Sequence, residues 1–65
     1  MTLKQARQNK GLVLVEVAAM LGVIPNTIWN WESGRSAPTI DRFNELIAIY
    51  GVEYEDIEFP IKKGE

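Results

Sequence analysis

The chain has 65 residues, with seven Lys and Arg against nine Asp and Glu, and contains neither His nor Cys. A chain of this length forms one small domain that buries only about 60% of its unfolded surface, so its 46% of apolar residues must build an efficient core. The lack of Cys excludes a disulfide scaffold, and the lack of His removes the commonest general base and zinc ligand, so we expect no enzyme activity, metal or cofactor.

Glycines and prolines divide the chain into segments with helical apolar spacing. Gly11, Gly22 and Gly51 each follow such a segment, and a glycine there closes the last helical turn in the left-handed conformation. Pro25 suits a first helical position, and Thr39 is a candidate N-cap. These signals predict helices over 2–10, 14–21, 25–33 and 40–50, and a short fifth helix around 54–57.

The apolar positions within each segment recur at the i, i+3, i+4 and i+7 spacing of a helix with one buried face. We therefore expect an all-α, compact five-helix domain over residues 1–58, followed by a C-terminal tail over 59–65. The predicted core comprises Leu3, Leu14, Val17, Ala18, Leu21, Val23, Ile28, Trp31, Ile40, Phe43, Leu46, Ile47, Tyr50 and Ile57.

Two of the predicted helices, separated by a three-residue turn, have the layout of a helix-turn-helix at about residues 14–33. Ala18 is small where the two helices must cross closely, and Gly22 permits the sharp turn. Val23 and Ile28 are placed to fill the angle between the helices. In such a motif the second helix, here 25–33, is the one that enters a DNA major groove.

Residues 3 to 57 resemble the Cro/CI-repressor-like helix-turn-helix family, also called the XRE family. The resemblance rests on Leu3-Lys4-Gln5-Ala6-Arg7, Lys10-Gly11-Leu12, Glu16-Val17-Ala18, Leu21-Gly22-Val23, Thr27-Ile28, Trp31-Glu32-Ser33-Gly34-Arg35, Pro38, Leu46 to Val52 and Asp56-Ile57. It implies a five-helix lambda-repressor-like DNA-binding domain whose second motif helix reads base edges. It also implies phosphate contacts from helix termini and the following loop, often in a two-fold dimer on a palindromic site.

The chain departs from this family where its relatives are polar. Val13 and Ile24 occupy the two helix starts at which the family usually has Thr or Ser, and neither side chain can cap a helix. Val15 and Trp29 also replace residues that are commonly polar, and a helical wheel places both away from the core. We expect these four residues to be exposed on the face that a relative presses into DNA.

The charge distribution also departs from that of a strong DNA binder. Residues 1 to 10 carry a net charge of +3, residues 11 to 34 carry −2, residues 35 to 50 sum to zero and residues 51 to 65 carry −3. Phosphate neutralisation supplies much of protein–DNA affinity, yet the motif itself has no cation. The cations expected at its periphery are Lys4, Arg7, Lys10, Arg35 and Arg42.

Two functional hypotheses follow. The leading one is a helix-turn-helix domain whose recognition face, through Val13, Val15, Ile24 and Trp29, has become a surface for a protein partner or for a second copy in a homodimer, either by engineering or by adaptation. A Trp amid aliphatic residues is the composition of an interface hot spot.

The alternative is a sequence-specific DNA-binding transcriptional regulator that places the helix over 25–33 in the major groove. Its base-reading candidates are Asn26, Trp29, Asn30 and Ser33, and its phosphate-contact candidates are Lys10, Arg35 and Arg42. Asn can pair with adenine in a bidentate way. Because no apolar run approaches the roughly 18 residues of a membrane span, and no signal peptide is recognisable, we expect a cytoplasmic protein without a membrane or small-molecule partner.

Overall fold

The computed structural model describes residues 1–58 of the chain. Its elements are the α-helices α1 (Leu3–Asn9), α2 (Leu14–Leu21), α3 (Pro25–Ser33) and α4 (Ile40–Tyr50), and one turn of 3₁₀ helix at Tyr54–Asp56. The predicted all-α class is confirmed, and three of the helices have the predicted bounds. The fifth predicted helix is a single 3₁₀ turn, so the described domain has four α-helices. The predicted tail over 59–65 lies outside the described residues.

The helix termini follow the expected local chemistry. Thr39 accepts a hydrogen bond from the Arg42 amide at 3.2 Å and caps α4, as predicted. Thr2 caps α1 through a reciprocal pair with Gln5, in which each backbone N–H donates to the other residue's side-chain oxygen. Gly22 ends α2 with φ of 73°, a left-handed conformation that would strain any residue with a Cβ. This turn sets the direction of α3 relative to α2, against which it packs.

The core lies between the helices and contains most of the predicted residues. Its buried apolar members are Leu3, Ala6, Val17, Ala18, Leu21, Ile28, Trp31, Phe43, Leu46, Tyr50 and Ile57. Leu14, Val23 and Ile47 are only partly buried but pack against this core. The prediction for Ile40 was wrong, because it is 67% exposed. It is the first residue of α4, and the helix meets the core only from Phe43 onward.

Arg7 was predicted as a peripheral cation, but it is buried. Its Nε donates to Glu32 Oε2 at 2.7 Å and its Nη2 donates to Glu32 Oε1 at 3.1 Å, while Nη1 donates to the Leu12 carbonyl at 3.1 Å. The hydrogen bond to Glu32 raises the pKa of Arg7 above its already high ordinary value. This bidentate pair joins α1 to α3 and is unavailable to phosphate.

Tyr50 lies in the core close enough to this ion pair to interact with it electrostatically. Its hydroxyl is buried and has no hydrogen-bond partner among the described residues. Burial raises the pKa of Tyr50 to about 12, with the charge of Glu32 adding to the effect. The neutral phenol is therefore the form that the fold favours.

We expect the fold to lose stability as pH rises from 10 to 12. The pKa of Tyr50 is higher in the folded than in the unfolded chain, so its contribution is complete below the unfolded value and is lost as pH rises through the folded one. Urea unfolding between pH 9 and 12 measures this loss. Tyr50→Phe should flatten the pH dependence, and Tyr54→Phe, at a tyrosine that is 57% exposed, is the matched control. Equal slopes in both variants would contradict the assignment.

The two ends of the described chain lie against each other. The Met1 amino group donates to the Asp56 carbonyl at 2.8 Å, and the Glu58 amide donates to the Met1 carbonyl at 2.7 Å. Thr2 and Glu58 form an isolated parallel β-bridge. These contacts hold the segment after α4 against the start of α1. Across residues 1–58, no helix combines the length and the apolar character needed to cross a membrane.

Candidate functional site

The candidate site is the outer surface of α2 and α3, which pack against each other. Ile28 and Trp31 fix the inner side of α3 in the core, so the helix offers its opposite side to solvent. The four apolar residues predicted to be exposed are exposed: Val13 by 57%, Val15 by 63%, Ile24 by 65% and Trp29 by 43%.

A shallow groove of about 410 Å³ lies at the start of α3 and is lined by Leu14, Pro25, Asn26 and Trp29. We call it the Trp29 groove. Three of its four lining side chains are apolar, and Asn26 supplies the polar edge. A second cavity, of about 220 Å³, shares Leu14 and Trp29 with it and is otherwise lined by Lys4, Arg7, Glu32 and Ser33.

The structure brings only some of the predicted site residues together. Trp29 shares the Trp29 groove with Asn26 and the second cavity with Ser33. Val13 and Ile24 precede groove residues in the chain but do not line the groove, and neither does Val15. Of the four apolar side chains predicted to form an interface, Trp29 lines the groove and the other three lie outside it.

Sequence reasoning missed Leu14 and Pro25 as site residues. Leu14 was predicted as core because it begins the apolar stripe of α2, and Pro25 was read only as a helix start. Both are first helical residues. Leu14 is only partly buried, and its place at the first position of α2 was the signal available for it. Met20, exposed by 56%, is a further apolar surface residue that was not predicted.

The polar residues of α3 that were predicted to read bases differ in how freely their side chains can contact a ligand. Asn26 is exposed, and its side-chain amide makes no hydrogen bond within the described chain. Asn30 is half-buried, although the bonds that it accepts from the Ser33 hydroxyl at 3.3 Å and from the Arg35 amide at 3.0 Å are at its backbone carbonyl and do not engage its side-chain amide. Asn26 is therefore the amide best placed to reach a ligand.

The three predicted phosphate contacts also differ. The Arg35 guanidinium lies 5.3 Å from the centre of the Trp29 ring, in a cation–π contact at the edge of the site. Lys10 is exposed at the end of α1. Arg42 donates through Nη1 to the Leu21 carbonyl at 2.9 Å and to Glu45 at 3.1 Å, so it also caps the end of α2. Arg35 and Lys10 are the freer cations.

The starts of α2 and α3 have the expected capping defect. Neither Val13 nor Ile24 makes a side-chain cap hydrogen bond. At α2 one of the two hydrogen bonds of a capping box is present, because the Glu16 side chain accepts from the Val13 amide at 2.9 Å. The reciprocal bond, from the Glu16 amide to a capping side chain, cannot form with Val.

We expect Val13→Thr and Ile24→Thr each to raise the free energy of unfolding by about 1 kcal/mol, because each supplies the missing capping oxygen. Val15→Thr is the matched control, since Val15 is equally exposed but lies inside α2. Urea unfolding monitored by circular dichroism measures all three. A gain at Val15 equal to that at Val13 would show that polarity, and not capping, is responsible.

Comparisons with known proteins agree with this geometry. The helix-turn-helix family matches residues 3–57. The chain is 33% identical over 64 residues to human endothelial differentiation-related factor 1, an alignment that covers 95% of this chain. The chain spans only 43% of that relative's length. No solved structure gives a significant match. With four helices in the expected order and the motif at α2 and α3, the chain belongs to the helix-turn-helix family of the Cro/CI-repressor-like (XRE) type.

Proposed function

We propose that the domain formed by residues 1–58 is the DNA-binding part of a transcription regulator and places α3 in the major groove. The observation that carries the proposal is the two-sided environment of α3. Ile28 and Trp31 anchor its inner side in the core, while Asn26, Trp29 and Ser33 are exposed on its outer side. A helix held rigidly in this way can present side chains to base edges. Asn30, which is half-buried at the edge of this outer side, is the fourth residue that we propose contacts base edges.

The distribution of charge supports this orientation. Apart from the buried Arg7–Glu32 pair, residues 1–40 carry three cations, all outside the motif, and one carboxylate, whereas residues 41–58 carry one cation and six carboxylates. The negative net charge of the chain therefore comes from α4 and the segment after it. A duplex approaching the α2 and α3 side meets the less acidic part of the domain.

Arg35 is the strongest candidate for a phosphate contact. It follows the end of α3 by two residues and is exposed, and its contact with Trp29 holds the guanidinium beside the proposed reading surface. Lys10 is the second candidate, and Arg42 is the third because one of its nitrogens is already engaged. Two copies of the domain on a palindromic site would double these contacts, and we include such a dimer in the proposal.

Fluorescence anisotropy with a labelled duplex at several salt concentrations tests the proposed function. We expect log affinity to fall linearly with log salt, and Arg35→Gln to reduce that slope by about one phosphate contact. Asn44→Asp is the matched control, because it makes the same change in net charge at an exposed position on α4. No duplex binding at low salt, or equal effects of the two variants on the slope, would overturn the proposal.

A second candidate function is supported by the exposed apolar side chains. Val13, Val15, Ile24 and Trp29, with Met20, leave large apolar side chains open to solvent around the motif. Such a surface fits a protein partner or a second copy of the chain. An engineered origin of these residues has no support from the structure or from the comparisons.

Sedimentation velocity separates the two candidates. Self-association of the free chain that Trp29→Ala weakens by about 2 kcal/mol, the scale of an interface hot spot, would favour protein binding. A free chain that is monomeric but sediments with duplex DNA at low salt, as one copy or as a pair, would favour the regulator. The same experiment on Ile40→Ala, which removes an exposed apolar side chain from α4, controls for general loss of surface hydrophobicity.

A further inference from the structure

We propose that the Trp29 groove is a binding site for the methyl group of thymine, and that α3 consequently prefers a site in which an adenine lies next to a thymine. This inference rests on the proposed function, since it names the DNA chemistry that α3 would select. It follows from the types of side chain on the outer side of the helix and from their placement relative to one another.

The major groove of DNA offers few partners to an apolar surface. The base edges there present hydrogen-bond donors and acceptors, and the only apolar group among them is the C5-methyl of thymine. Leu14, Pro25 and Trp29 give the groove three apolar walls at the start of α3. Against any other base edge these walls would remove water from polar atoms without replacing their hydrogen bonds.

Asn26 forms the polar edge of the Trp29 groove. Asn26 is exposed and has an amide without a hydrogen bond in the described chain, and the amide of Asn is the side chain suited to the N6 and N7 atoms of adenine. Asn26 and Trp29 are three residues apart, which is about 4.5 Å along the axis of α3. Successive base pairs are about 3.4 Å apart, so the two side chains reach neighbouring pairs.

The side chains of α3 are poorly suited to guanine and cytosine. Arg and Lys make the commonest contact with guanine, and Pro25–Ser33 contains neither. A carboxylate can accept from cytosine, but the carboxylate of Glu32 is held by Arg7 and buried. Arg35 lies beyond the helix with its guanidinium on the Trp29 ring. The helix therefore has groups suited to adenine and thymine, and the hydroxyl of its remaining candidate, Ser33, does not distinguish among the bases.

Replacing thymine with uracil tests the inference, because the exchange removes only the methyl group. Duplexes selected by the wild-type chain from a random pool should be enriched in an adenine next to a thymine. Replacing that thymine with uracil should weaken binding about fourfold, the effect of one buried methyl group. In Trp29→Ala the thymine and uracil duplexes should bind equally. In Ile40→Ala the fourfold difference should remain.

Asn26→Ala tests the other half of the proposed site. This variant should lose about tenfold in its discrimination of adenine from guanine while still preferring thymine to uracil. Equal wild-type affinity for the thymine and uracil duplexes would overturn this inference and leave the proposed function standing. Lack of salt-dependent binding to any duplex would overturn both.

Discussion

Glu32→Gln is expected to lower the free energy of unfolding by about 3–5 kcal/mol, a large part of the stability of a small domain. The carboxylate is only 5% exposed and accepts two hydrogen bonds from Arg7, whose own side chain is 9% exposed. Removing the negative charge leaves the guanidinium buried without a counter-charge. Because the pair joins α1 to α3, the loss also loosens the helix that carries the candidate site. Urea unfolding followed by far-ultraviolet circular dichroism measures the effect.

Two further variants make this prediction specific. Glu45→Gln alters an exposed carboxylate that is also paired with an arginine, and we expect it to change stability by less than about 1 kcal/mol. The double variant Arg7→Met with Glu32→Leu replaces both charges with apolar groups of similar size and should recover most of the loss. If Glu32→Gln and Glu45→Gln cost the same, the buried pair does not stabilise the fold as the geometry implies.

The helices could be predicted from sequence because their ends are encoded locally. Gly22, Gly34 and Gly51 end α2, α3 and α4 in the left-handed conformation, and Thr39 caps the start of α4. These signals depend on neighbouring residues only, so no tertiary information was needed. Ile40 was misassigned because apolar periodicity gives the direction of a side chain but not whether the core reaches the end of the helix.

The buried ion pair was not predicted, although a signal was present. Arg7 follows Leu3 and Ala6 at the spacing of a buried helical face, and Glu32 follows Ile28 by four residues. A charged residue at such a position is normally taken as the edge of the apolar face. Only the packing of α1 against α3 shows that the two charges meet. Charge pairing between distant segments is tertiary information.

The candidate site was only partly predicted, because it too depends on contacts between distant segments of the chain. The helical wheel correctly predicted that Val15 and Trp29 are exposed, because exposure depends on the helix to which a residue belongs, and Val13 and Ile24 are exposed at the helix starts where they were predicted. It could not show that the groove beside Trp29 is completed by Leu14 and Pro25. That arrangement depends on the relative orientation of α2 and α3, which the turn at Gly22 sets.

Substitutions of the two tryptophans are expected to have different effects, with Trp31 needed for the stability of the fold and Trp29 for the binding of DNA. Trp31→Ala should lower the free energy of unfolding by about 3–5 kcal/mol, because Trp31 is 8% exposed and its removal leaves a cavity between the helices. Trp29→Ala should cost less than about 1 kcal/mol, mostly the cation–π contact with Arg35. Urea unfolding measures stability, and duplex anisotropy measures binding.

The residues are two positions apart on α3, so the contrast compares the inner and outer sides of one helix. Trp31→Phe retains most of the buried ring and provides a folded variant if Trp31→Ala unfolds; it should bind duplex as the wild type does. Trp29→Ala should remain folded and lose the response to the thymine methyl group. A large loss of stability in Trp29→Ala would place that side chain in the core, and the Trp29 groove would then lack the ring proposed to contact the thymine methyl group.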